Sequence, residues 1–216
     1  MKNNNKIFLG EFIASCFLVM VIVGSGIMAE NLTNDNAVRL LANTIATGAG
    51  LFVLITSFAN ISGAHLNPFV SLSMYLTKKI KGKELLTYVP AQIFGCLLGV
   101  MLANVFFEHS IIELSTKNRD GFHIFLSEIV ATFGLIFIIF ATLKDGKTTV
   151  AACVATYISA GYWFTSSTSF ANPAVAIART FTDSFTGINY LNTPTYIFAE
   201  LLGAIVAVYI IKRLIK

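Results

Sequence analysis

"SGAHLNPFVSL" (residues 62–72) and "TSFANPAVAIAR" (residues 168–179) decide how this chain folds. Each places an Asn-Pro pair directly after a long apolar run. Proline suits the first turn of a helix, where its missing N–H would have no partner anyway. Asparagine just before it is a favoured cap. Asn67-Pro68 and Asn172-Pro173 therefore read as helix starts. The segments that follow, 68–76 and 173–181, are short. At about 1.5 Å per residue they reach only halfway across a hydrocarbon layer about 30 Å thick.

The surroundings are those of a membrane protein. Of 216 residues, 56% are hydrophobic and 12% charged, with 19 Phe and a mean hydropathy of +0.75. A soluble domain carries about 25% charged residues. Apolar runs cover residues 6–28, 38–59, 85–107, 121–143, 148–165 and 193–211, which predicts six spans. Lys2 and Lys6 ahead of the first run also suit a signal peptide, but the run is long for one and has a counterpart later in the chain. It is read as the first span.

Six spans put both termini on one side. With that side cytoplasmic, eleven of the fifteen Lys and Arg residues lie inside, and only Arg39, Lys117, Arg119 and Arg179 lie outside. That asymmetry follows the positive-inside rule, so both termini are expected in the cytoplasm. The formal charge of +4 is thereby explained by topology, and no nucleic-acid partner is expected. Cys16, Cys96 and Cys153 are odd in number and scattered among apolar residues, as inert thiols are. No metal, cofactor, catalytic set or phosphate loop is legible, so an enzyme is not expected.

The chain repeats itself. "GEFIAS" at residues 10–15 answers "SEIVAT" at 127–132, and "YVPAQIFG" from Tyr88 answers "YIFAELLG" from Tyr196. Glu128 lies 117 residues after Glu11, Asn172 lies 105 after Asn67, and Glu200 lies 108 after Gln92. The halves, about 1–115 and 116–216 of one channel domain, each hold three full spans. An odd number inverts the second half relative to the first. The expected fold is an all-α membrane protein: six transmembrane helices plus two re-entrant half-helices in an inverted repeat.

Inversion brings the two half-helices in from opposite faces, with their N-termini meeting near the midplane. Irregular backbone at that depth is tolerated only against protein or a watery cavity. Each helix N-terminus carries about +0.5 e, so the pair repels cations and protons. The Asn amides donate hydrogen bonds to a passing oxygen. Such a site favours neutral, hydrogen-bonding solutes.

At this point the sequence resembles the aquaporin and glycerol-facilitator family, the major intrinsic proteins. The likeness rests on "SGAHLNP", the second "NPA", the Glu11 and Glu128 landmarks and the "AQxxG"-type third and sixth spans, and runs over nearly the whole chain. It implies a pore in each protomer, a homotetramer in a lipid bilayer, and passive conduction in a bacterial inner membrane. It also implies that Glu11 and Glu128 brace the half-helix loops, and that His65 presents a polar edge to the cytoplasmic side of the pore.

Two departures from the family pattern matter. Phe69 stands where the first motif usually has Ala, while Ala174 keeps the usual residue in the second. Phe69 either narrows the midplane or packs away from the lumen, and packing is the preferred reading. Val175 stands where the family usually has the filter Arg. Ungapped matching puts the other filter positions at Thr47, Ala160 and Ser169, a ring of small residues with no aromatic. Arg179 lies one turn beyond Val175 on the same helix face, and helical side chains lean towards the N-terminus. Its guanidinium is expected to replace the missing cation in part, from further out; the alternative is an exposed loop arginine near Asp183.

The leading expectation is a channel for water and small uncharged solutes such as glycerol and urea, excluding protons and ions. Resemblance to sequences with "NPAV" followed by "AR" adds neutral metalloid acids such as arsenous acid. The alternatives are a water-selective aquaporin and, because inverted repeats with broken helices also occur there, a proton-coupled secondary transporter.

Overall fold

A computed structural model describes residues 2–214, and every described element is helical. Eight helices follow in order: α1 (Lys2–Leu32), α2 (Asn36–Phe58), α3 (Pro68–Leu76), α4 (Gly82–Phe106), α5 (Phe122–Thr142), α6 (Lys147–Phe164), α7 (Pro173–Arg179) and α8 (Thr193–Leu214). Local chemistry sets several of the starts. Asp35 caps α2 by accepting from Ala37 N at 2.8 Å and Val38 N at 3.2 Å. Glu84 reaches back to Lys81 N at 2.7 Å at the head of α4. Asn67 and Asn172 cap α3 and α7, each with Pro at the first helical position.

Among the described residues, five helices are long and apolar enough to cross a membrane: α1, α2, α4, α5 and α8. The exception to the six expected is α6, whose 18 residues are rich in Ala and Thr. At about 27 Å it is close to the hydrocarbon thickness. Two of its hydroxyls are satisfied within the helix: Thr156 Oγ1 donates to Ala152 O at 2.7 Å and Ser159 Oγ to Ala155 O at 2.8 Å. Packed between α2 and α5, it fills the place of the fifth span without carrying the apolarity of one.

Packing follows the repeat. α1 lies along α4 and α2 as α5 lies along α8 and α6, and α2 meets α6 between the halves. The half-helices cross over: α3 packs on α8 and α7 on α4. Close approach of α1 and α4 depends on Gly95 and Gly99, where any Cβ would collide with the Phe12 and Cys16 carbonyl oxygens. Gly203 plays the same part against Ile129 of α5. Small residues at such crossings let membrane helices touch along their backbones. Large apolar side chains, Phe17, Phe94, Phe122 and Phe198 among them, remain exposed around the outside. This is the surface a bilayer would cover.

Candidate functional site

The loops ahead of the two Asn-Pro pairs run in unusual backbone geometry. Ala64 and Leu66 have φ of 51° and 54°, and their repeat counterparts Ser169 and Ala171 have 51° and 48°. A non-glycine residue in this left-handed region costs about 1–2 kcal/mol, so something must hold it there. In the first loop it is Glu11. Its Oε1 accepts from Ser62 Oγ at 2.6 Å and His65 N at 3.0 Å. Its Oε2 accepts from Leu66 N at 2.7 Å and Gln92 Nε2 at 2.8 Å. In the second loop Glu128 accepts from Phe170 N at 2.9 Å and Ala171 N at 2.8 Å. Glu200, the counterpart of Gln92, accepts from Asn172 N at 2.9 Å. All four side chains are fully buried; Glu11 and Glu128 are tolerated there because both oxygens of each are supplied with donors, whereas Glu200 Oε2 has no hydrogen-bond partner.

The loops deliver the two Asn residues to each other. Asn67 Oδ1 accepts from Phe69 N at 2.8 Å, and Asn172 Oδ1 from Ala174 N at 3.1 Å and Val175 N at 3.4 Å. Their amides then cross: Asn67 Nδ2 donates to Ala171 O at 2.6 Å, and Asn172 Nδ2 to Leu66 O at 2.8 Å. An amide nitrogen carries two hydrogens. One N–H of each Asn is thus committed to the opposite loop, and one is left for a solute. This cross-bracing is invisible in the sequence, because its partners are backbone atoms.

A cavity of about 420 Å³ runs past this junction. Asn67 and Asn172 line it, as do His65, Thr47, Ser169, Val175 and Arg179. Towards the end that holds the chain termini it is walled by apolar residues such as Ile55, Met74 and Val150, with Lys79 and Lys147 at its rim. No Asp or Glu lines it among the described residues. His65 Nδ1 lies 3.0 Å from Ser71 Oγ, and its ring stacks on Tyr88 with centroids 4.2 Å apart. Phe69 is not among the lining residues; it is half-buried against the core. Pro68, Pro173 and Ala174 are buried in the half-helix starts.

One expected filter position needs correction. Ala160 is exposed on the outer face of α6 and does not line the cavity. Tyr162, two residues on, does, and its hydroxyl lies 3.1 Å from Thr47 Oγ1. Two residues turn a helix by about 200°, which is enough to exchange the lumen for lipid. The ring is therefore not free of aromatics: Tyr162 and Phe170 both face the cavity.

Arg179 is the last residue of α7 and only 3% exposed. Its Nε donates to Thr186 O, and its guanidinium lies 3.4 Å from the centroid of Phe170. Asp183, the nearest acidic residue in sequence, is engaged elsewhere: it accepts from Thr116 N and Oγ1. Arg179 thus stands at the far end of the cavity, beyond Val175.

Comparison with known proteins fits this geometry. Aquaglyceroporin AqpS of Rhizobium meliloti (strain 1021) is 46% identical over 208 residues, covering 96% of this chain and 89% of that protein. Aquaporin-4 of Rattus norvegicus is 28% identical over 211 residues, covering 94% of this chain and 65% of that one. The solved aquaglyceroporin of Plasmodium falciparum superposes with a TM-score of 0.79 at 21% identity, covering 98% of this chain and 97% of that one. The family description "Major intrinsic protein" matches residues 1–164. With capped half-helices joined end to end beside a continuous cavity, the chain belongs to the major intrinsic protein family.

Proposed function

We propose that the chain is a passive membrane channel for water and glycerol, and that it also passes urea and neutral metalloid acids such as arsenous acid while excluding protons and cations. The observation that carries this reading is the meeting of α3 and α7 at the paired Asn residues inside the cavity. Two helix N-termini there present about +0.5 e each, and Lys79, Lys147 and Arg179 add positive charge along the path with no lining carboxylate. A cation meets no carboxylate among the described residues on this route. A neutral hydroxyl finds two amide N–H groups and a mainly apolar wall. The filter assigned to this path is Thr47, Tyr162, Ser169, Val175 and Arg179.

The water-selective alternative gains one observation, the ring of Tyr162 beside Thr47. Stopped-flow light scattering on proteoliposomes separates the two. Fast shrinkage in an impermeant osmolyte followed by re-swelling in glycerol and urea supports the wide channel. Fast shrinkage without re-swelling makes the protein water-selective. Solute uptake that collapses with a proton uncoupler would instead indicate a coupled transporter, a reading that family membership disfavours.

We further infer one pore per protomer in a homotetramer of a bacterial inner membrane, with both termini cytoplasmic. The exposed apolar belt and the bias of Lys and Arg towards the terminal end support this. Native mass spectrometry in mild detergent and protease accessibility of oriented vesicles test it.

A further inference from the structure

The connection between α4 and α5 carries two cations, Lys117 and Arg119, that the channel path leaves unused. Both reach across to the connection between α7 and α8. Lys117 Nζ donates to Phe185 O at 2.7 Å and lies 4.6 Å from the centroid of the Phe185 ring. Arg119 Nη2 donates to the same oxygen at 3.1 Å, and its Nε to Gly187 O at 2.8 Å. The carbonyl between those two, that of Thr186, accepts from Arg179 Nε. Three cations therefore hold three consecutive carbonyls. Phe170 ties two of them together, with Arg179 at 3.4 Å and Arg119 at 5.4 Å from its centroid.

The two connections are also joined through their backbones. Asn189 N donates to Lys117 O at 2.8 Å, and Arg119 N to Asn192 Oδ1 at 2.9 Å. From α1, Glu30 Oε2 accepts from Phe185 N at 2.8 Å. A filter cation placed one turn late, on the final residue of a short helix, has no further helical turn to fix it. Its geometry must come from the loop it bonds.

We propose that Lys117 and Arg119 are positioning residues that lock the 185–187 carbonyls and so hold the Arg179 guanidinium across the outer mouth, setting which solutes the channel admits. The proposal rests on the reading of Arg179 as the filter cation. It makes the mouth of this chain a three-cation clamp contributed by two connections and a half-helix, in place of a single arginine beside the second motif.

One consequence is a dependence on the pH outside. Around Lys117 stand Glu30 of α1, Arg39 at the head of α2, Arg119 on its own connection and Arg179 of α7, while Asp183 bonds the adjacent Thr116. Burial, reinforced chiefly by Arg119 and opposed by Glu30, lowers the Lys117 ammonium to about 8. Charge-assisted hydrogen bonds are roughly twice as strong as neutral ones. As pH rises through that value the bond to Phe185 O weakens, and the grip on Arg179 loosens.

The test is the ratio of glycerol to water permeability in proteoliposomes carrying the full-length channel, for the wild type, K117M, K117R, R119Q and R179Q. K117M and R119Q are expected to raise the ratio by about twofold or more, and K117R to keep the wild-type value. Between about pH 7 and about pH 9, a range set by the shifted lysine, the wild-type ratio climbs. K117M stays flat at the high value and K117R flat at the low one. A wild-type ratio that ignores pH overturns the proposal, and needs no variant to fold. If R179Q shifts the ratio while K117M and R119Q do not, the clamp alone fails. If R179Q also leaves the ratio unchanged, the filter reading fails and the clamp with it.

Discussion

Asn67 and Asn172 hold each other's loops: each side-chain amide donates to the carbonyl that precedes the other Asn, at 2.6 Å to Ala171 O and 2.8 Å to Leu66 O. The same two side chains cap the half-helices that start beside them. Capping, cross-bracing and solute contact therefore draw on one residue at each site. They cannot be varied separately by substituting it.

Replacing Asn172 by Ala removes the cap on Ala174 N and Val175 N together with the bond to Leu66 O. The lost cap alone is worth about 0.5–2 kcal/mol. A lower melting temperature in detergent and a reduced water permeability are expected. Asn67→Ala should behave alike, since it loses the cap on Phe69 N and the bond to Ala171 O. A variant that melts lower yet conducts normally would show that the amide does not serve the solute.

Glu128→Gln keeps the size of the side chain but replaces one acceptor oxygen by a donor facing Phe170 N or Ala171 N. Leaving a buried donor unpaired costs about 1–3 kcal/mol, here in a loop already held in left-handed geometry. Stability and water permeability should fall together. Glu11→Gln should cost at least as much, since Glu11 accepts four hydrogen bonds. Thermal unfolding followed by light scattering on the reconstituted variants checks both.

Gly95→Val and Gly203→Val test the crossings of α1 with α4 and of α5 with α8. Each added side chain meets a backbone carbonyl that cannot rotate away. Overpacking costs about 1–3 kcal/mol where neighbours can shift, and more is expected here. Both variants should express poorly or aggregate, whereas Gly146→Ala, with open space around it, should meet no clash and cost only its backbone strain (φ 100°). Size-exclusion profiles of the three variants give the comparison.

Val175→Arg adds a guanidinium to the cavity wall one turn inside Arg179. The path narrows, and two cations face each other along it. Glycerol permeability should drop more than water permeability; a barrier raised by about 1.4 kcal/mol corresponds to a tenfold loss. Unchanged permeability to both solutes would mean that the arginine folds away from the path.

Much of this architecture is legible in the chain. The start and end of α3 were expected where they occur, because Asn caps and Pro at the first turn act within a few residues. Inversion of the halves followed from counting three spans in each. The end of α1 was expected at residue 28, but the helix runs on to Leu32, since hydropathy marks where the apolar run stops and not where the backbone hydrogen bonds do. α6 was counted among equal spans although its small hydroxyl residues, satisfied within the helix, make it less apolar than the rest.

What the sequence determined by itself was local: which segments are helical, which are too short to cross, and that the chain is built twice. Apolar runs, caps and prolines act within a turn or two, so they can be read in order along the chain. Only the tertiary structure decided which atoms face the path. Tyr162 and not Ala160 lies there because of the rotational phase of α6, which no single residue declares. Arg179 is held by Thr186, in a loop whose neighbouring carbonyls are bonded by Lys117 and Arg119, 66 to 68 residues earlier in the chain, because the two connections fold onto each other. The bonds that join the two motifs span 104 and 106 residues, and such pairs come together only when both halves have packed.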